Sequence, residues 1–109
     1  MSWKASGFKA WAWQRATAVY IGLFGLYLII SLLFAAPENY TAWQAWFAGP
    51  VMQITTLLFV LAILLHAWVG IRDICIDYVK PIAVRAGLLM LLALSLILYG
   101  LWAAQLLLR

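Results

Sequence analysis

The sequence predicts an all-α integral membrane protein: three transmembrane helices forming a single domain over residues 1–109. Three observations predict it. Of 109 residues, 69% are hydrophobic and 9% charged. A soluble domain of this size could not bury that much apolar surface, so its solvent is lipid. Three apolar runs, at about 16–36, 51–71 and 82–108, are long enough to cross a bilayer, the first two covering roughly 30 Å each as helices. The basic residues sit at the ends of these runs, mostly on one side, as the positive-inside rule requires. The connections are too short to hold a soluble domain.

Taken in order, the chain opens with Trp3, Lys4, Lys9, Trp11, Trp13 and Arg15, an aromatic and basic approach to the first span. That span has an apolar core of about 20 residues, longer than the roughly 7–15 of a signal-peptide h-region, so it is read as retained. A mature bacterial N-terminus is preferred over a transit peptide. Pro37 ends the first span. The segment 40–47, YTAWQAWF, is expected to form a short interfacial helix, with Trp43 and Trp46 in the aromatic belt. Gly49 and Pro50 break the chain before the second span, and Pro81 restarts it before the third, proline being tolerated in a first helical turn. Trp102 nears the end of the third span.

Charge orients the whole. Lys4, Lys9 and Arg15 precede the first span, and Arg72, Lys80 and Arg85 lie between the second and third. The loop 37–50 carries Glu38 and no Lys or Arg, leaving Arg109 as the one basic residue on that side. The N-terminus is therefore expected on the cytoplasmic side and the C-terminus on the periplasmic side. The net charge of +4 is spread over membrane edges rather than gathered in a patch, so nucleic acid is excluded as a partner. There is no nucleophile triad, phosphate loop or zinc motif. Cys75 is the sole cysteine; it makes no intrachain disulfide and is expected to pack at a helix end.

The residue that demands explanation is His66, the only histidine, set inside the second span. An imidazole in hydrocarbon is costly unless paired or ligated. Three readings compete: a hydrogen bond to a neighbouring helix, ligation of haem iron, or proton relay. Ala62, His66 and Gly70 are spaced i, i+4, i+8 and share a face. That face admits either close helix packing or a flat macrocycle. One histidine cannot supply two imidazoles to a haem, so a second ligand would come from a partner subunit or from Met90 in the third span. At the inner edge, Tyr78 can donate a hydrogen bond to a quinone carbonyl and Asp77 can orient it or supply protons. The alternative is a belt tyrosine beside a solvated acid. Asp73 and Asp77 share a face if the helix runs past Ile71, and Arg72 is a candidate partner of Asp77; the rival reading is solvated loop charges. Arg15 and Lys9 are expected either to snorkel to lipid phosphate or to bind a carboxylate such as a haem propionate.

His66-Ala67-Trp68-Val69-Gly70, then Asp77-Tyr78-Val79-Lys80-Pro81, with Arg15-Ala16-Thr17-Ala18 upstream, resembles the small hydrophobic membrane anchors of bacterial succinate dehydrogenase. The resemblance covers nearly the whole chain. It implies an anchor packed against a companion cytochrome b subunit in the bacterial inner membrane, with one haem b held between them. It implies that His66 is a haem-iron ligand and that Tyr78 hydrogen-bonds ubiquinone beside Asp77. Arg15 matches an arginine near the haem and quinone, and Lys9 stands about where some relatives carry a histidine near a propionate. Arg72 and Asp73 replace less charged residues of some relatives. FAD and the iron–sulfur clusters would belong to partner flavoprotein and iron–sulfur subunits, the chain itself having no succinate site. A haem-free structural adaptor, a fumarate reductase anchor and a small proton-coupled transporter are the rival readings. The last expects acids deeper in the spans than Asp73 and Asp77.

Overall fold

The computed structural model describes residues 2–109, with side chains from residue 7 onward; the side chains of Trp3 and Lys4 therefore lie outside the described residues. Four helices account for nearly all of it: α1 (Ser2–Ala35), α2 (Tyr40–Ala48), α3 (Pro50–Tyr78) and α4 (Ile82–Leu107). Among the described residues there is no strand. Three of the helices, over Gly7–Ala35, Pro50–Tyr78 and Ile82–Leu107, are long and apolar enough to cross a membrane.

Two helices outrun their expected spans. α1 starts well before residue 16, and α3 continues past residue 71 to Tyr78. Hydropathy marks where lipid ends, whereas a helix ends where its backbone is interrupted. Between Arg72 and Val79 nothing interrupts it. The break comes from Pro81, which disfavours helical geometry at the residue before it; Val79 is the C-cap, its N–H bonded to the Cys75 carbonyl. At about 43 Å, α3 exceeds the hydrocarbon thickness of about 30 Å, so its last turns reach the headgroup zone.

The short outer helix forms as its sequence suggests. Asn39 is extended, and its side chain accepts a hydrogen bond from the Ala42 N–H at 2.9 Å, the usual N-cap arrangement. The Trp43, Trp46 and Phe47 rings cluster with centroids 5.0–6.2 Å apart. Pro50 occupies the first turn of α3, where its missing N–H costs nothing.

α3 is the hub, with α1 and α4 packed along it and α2 against it as well. Little is enclosed. Ala62, Val69 and Cys75 are the buried apolar residues, with Thr17 and Thr56 the buried polar ones. Large side chains such as Leu33, Phe34, Leu98 and Leu101 are exposed all along α1 and α4. In water that surface would be untenable; in lipid it is the contact with acyl chains or with another hydrophobic subunit.

Candidate functional site

α1 and α3 run antiparallel, and their shared seam is polar. The α1 residues that meet α3 recur every three to four positions: Gln14, Thr17, Tyr20 and Phe24. Thr17 is 6% exposed, and its Oγ1 lies 3.1 Å from His66 Nδ1. The same Oγ1 lies 2.7 Å from the Trp13 carbonyl and 3.2 Å from that of Gln14. One level further out, the Tyr20 hydroxyl donates to the Thr55 carbonyl, and the Phe24 and Phe59 rings meet at 5.0 Å. The His66 imidazole is thus paired to a neighbouring helix through one nitrogen. Among the described residues its Nε2 has no hydrogen-bond partner.

The small-residue face around His66 divides in two. At Gly70 a Cβ would stand 3.2 Å from Gln14 Nε2, so there the missing side chain lets α1 approach. At Ala62 the face opens into an apolar groove of about 290 Å³, lined by Trp13, Ala16, Thr17, Tyr20, Leu61 and Ala62 among others. Ala62 stands one helical turn from His66 on the same face. His66, held at one ring nitrogen by Thr17, is the residue here that could ligate a haem iron through the other. No three His, Cys, Asp or Glu side chains gather among the described residues.

Met90 is poorly placed to be a second ligand. Gly100 packs at Leu64, and Arg85 reaches the Ile76 carbonyl. This register puts Met90 near the level of Arg72, roughly 9 Å nearer the inner end than His66. Met90 is also 66% exposed on α4, whereas His66 faces α1.

Asp77 and Tyr78 close α3 and are exposed, Tyr78 at 79%. They lie about 16–18 Å along the axis from His66, so the two constellations are separate sites. Asp73 and Asp77 do lie on the helix, two and three turns below His66 on its face. Arg72 pairs with Asp73 at 3.1 Å rather than with Asp77, its candidate partner. The pair is half in solvent and adds little stability.

Arg15 is exposed, its guanidinium over the Trp11 ring at 5.6 Å, a cation–π contact between neighbours one turn apart. Two residues from Thr17, it points about 200° away around α1, and no contact brings it to His66. Lys9 is exposed. Cys75 is buried, as a packing role requires. The residue that sequence reasoning missed is Thr17. It lies within the Arg15-Ala16-Thr17-Ala18 motif, but its partner is 49 positions away, and only the helix pairing reveals it.

Residues 1–102 match the family described as succinate dehydrogenase/fumarate reductase transmembrane subunit. A succinate dehydrogenase hydrophobic membrane anchor subunit from Coxiella burnetii (strain RSA 493 / Nine Mile phase I) is 39% identical over 99 residues, covering 91% of this chain and 86% of that protein.

Proposed function

Since this chain belongs to the succinate dehydrogenase/fumarate reductase transmembrane-subunit family, we propose that it anchors a succinate:quinone oxidoreductase in the bacterial inner membrane, contributing a ligand for a haem b and part of a ubiquinone site. The observation that carries this reading is His66, an imidazole held within a membrane span through Nδ1 by Thr17 Oγ1.

The apolar groove beside Ala62 would border the haem, and a companion cytochrome b subunit would complete the pocket and supply the second ligand. When bound, the haem supplies a one-electron redox centre. His66 holds it in place, and the surrounding alanines and leucines keep water from the ring. Flavoprotein and iron–sulfur subunits carry the FAD, the iron–sulfur clusters and the succinate site. The quinone headgroup meets the chain at the inner end of α3. There the Tyr78 phenol donates a hydrogen bond to a carbonyl oxygen, favouring the charge that develops on reduction. Asp77 orients the phenol or passes protons from the aqueous side. Arg15 and Lys9 line the same cytoplasmic rim as cations for propionate or phosphate. The N-terminus lies in the cytoplasm and the C-terminus in the periplasm, following the basic residues.

Tyr78→Phe tests the quinone half in the purified complex. Succinate-to-quinone activity should fall at least about tenfold, the scale of a lost positioned proton donor, while succinate oxidation by a soluble dye stays unchanged. Equal loss of both, or of neither, would remove Tyr78 from the quinone site.

A further inference from the structure

We infer that Thr17 is a positioning residue for His66: its hydroxyl oxygen accepts the Nδ1–H, which fixes the imidazole tautomer and leaves the Nε2 lone pair for iron. The inference rests on the haem reading above and adds the device that makes the histidine a competent ligand.

Thr17 Oγ1 has three close polar neighbours: the Trp13 carbonyl at 2.7 Å, His66 Nδ1 at 3.1 Å and the Gln14 carbonyl at 3.2 Å. A hydroxyl owns one proton. Both carbonyls can only accept. If Thr17 spent its proton on Nδ1, its lone pairs would face two carbonyl oxygens, one at 2.7 Å, with no proton between. Spent on the Trp13 carbonyl, the proton makes a hydrogen bond of ordinary O–H···O length, the back-bond threonine makes within helices. The oxygen then has a lone pair to offer Nδ1, and 3.1 Å suits an N–H donor. Only this assignment leaves no two acceptors facing each other around Oγ1. A neutral imidazole with its proton on Nδ1 has Nε2 unprotonated, the form a metal requires.

Two further features fit. Thr17 is 6% exposed, so water does not compete for the bond. The acceptor is a neutral hydroxyl already polarised by its own bond to a carbonyl. It holds the ring without adding a charge to the span.

The test compares wild type, Thr17→Val and Thr17→Ser in the purified complex, by haem content, redox titration of the haem and electron paramagnetic resonance of the oxidised iron. Valine keeps the shape and removes the acceptor; serine keeps the acceptor. Thr17→Val should shift the haem reduction potential and should broaden or shift the resonance as the ring loses its fixed orientation. Thr17→Ser should return both towards wild type. Loss of haem from Thr17→Val with retention in Thr17→Ser would equally support the role of the hydroxyl. Potentials and spectra of Thr17→Val identical to wild type would overturn it, as would equal damage in both variants, which would indicate shape rather than hydrogen bonding. A wild-type complex without haem would overturn the underlying haem reading instead.

Discussion

The two seams along α3 are built from different materials. Towards α1 it meets side chains that hydrogen-bond: Thr17 with His66, and Tyr20 with the Thr55 carbonyl. Gln14 lies close over Gly70. Towards α4 the contacts are hydrocarbon. Leu57, Leu64, Trp68, Leu96 and Ile97 border an apolar cleft of about 660 Å³, and Gly100 admits the Leu64 side chain. The polar exceptions lie towards its two ends: Gln53 donates to the Leu107 carbonyl at 3.1 Å, and Arg85 reaches the Ile76 carbonyl. In lipid, burying leucine against leucine brings no hydrophobic gain, so helices associate through close packing and interhelical hydrogen bonds. The α3–α4 seam relies chiefly on packing and the α1–α3 seam on polar pairs as well. The polar seam is also where chemistry can be held, because only there is a titratable ring oriented by another helix.

Breaking the polar seam should have the largest effect. His66→Ala should reduce haem per assembled complex to below about a tenth of wild type, read by pyridine haemochrome, since the iron loses a ligand that no other histidine of this chain can replace. Undiminished haem in that variant would assign both ligands to other subunits. Altering the apolar seam should do far less. Gly100→Ala places a Cβ 2.9 Å from Leu64 Cδ1, but that atom ends a flexible side chain. Crowding of about 1 kcal/mol is offset by the alanine's helix preference of similar size. A change of a few degrees in melting temperature with an unaltered haem spectrum is expected; a shifted spectrum would show that the seams are coupled. The smallest effect belongs to Thr56, 8% exposed with an Oγ1 that has no partner among the described residues. Thr56→Val removes a buried, unsatisfied hydroxyl at nearly constant shape, so stability should hold or rise slightly. A clear fall in melting temperature would mean the hydroxyl is satisfied from outside this chain.

Much of this architecture is legible in sequence because lipid imposes simple rules. Apolar runs of membrane length gave three helices, and 40–47 with its aromatic residues gave the outer one. What hydropathy could not reach was the true extent of α1 and α3, whose polar ends leave the membrane without leaving the helix. Nor could it identify partners. Periodicity put Ala62, His66 and Gly70 on one face but left open what filled that face. Gln14 occupies the Gly70 end, and a groove remains at the Ala62 end. Arg72 had two acids in reach by spacing, and its rotamer chose Asp73. Thr17 read as one residue of a short motif because a hydrogen bond spanning 49 positions leaves no local signature.

The most direct test of the central claim is a reduced-minus-oxidised visible spectrum of the complex purified through this chain, recorded for wild type, Gly100→Ala and His66→Ala. The account predicts the α-band of a b-type haem in the first two, and its loss or displacement in His66→Ala. No band in wild type, or the same band in all three, would contradict it.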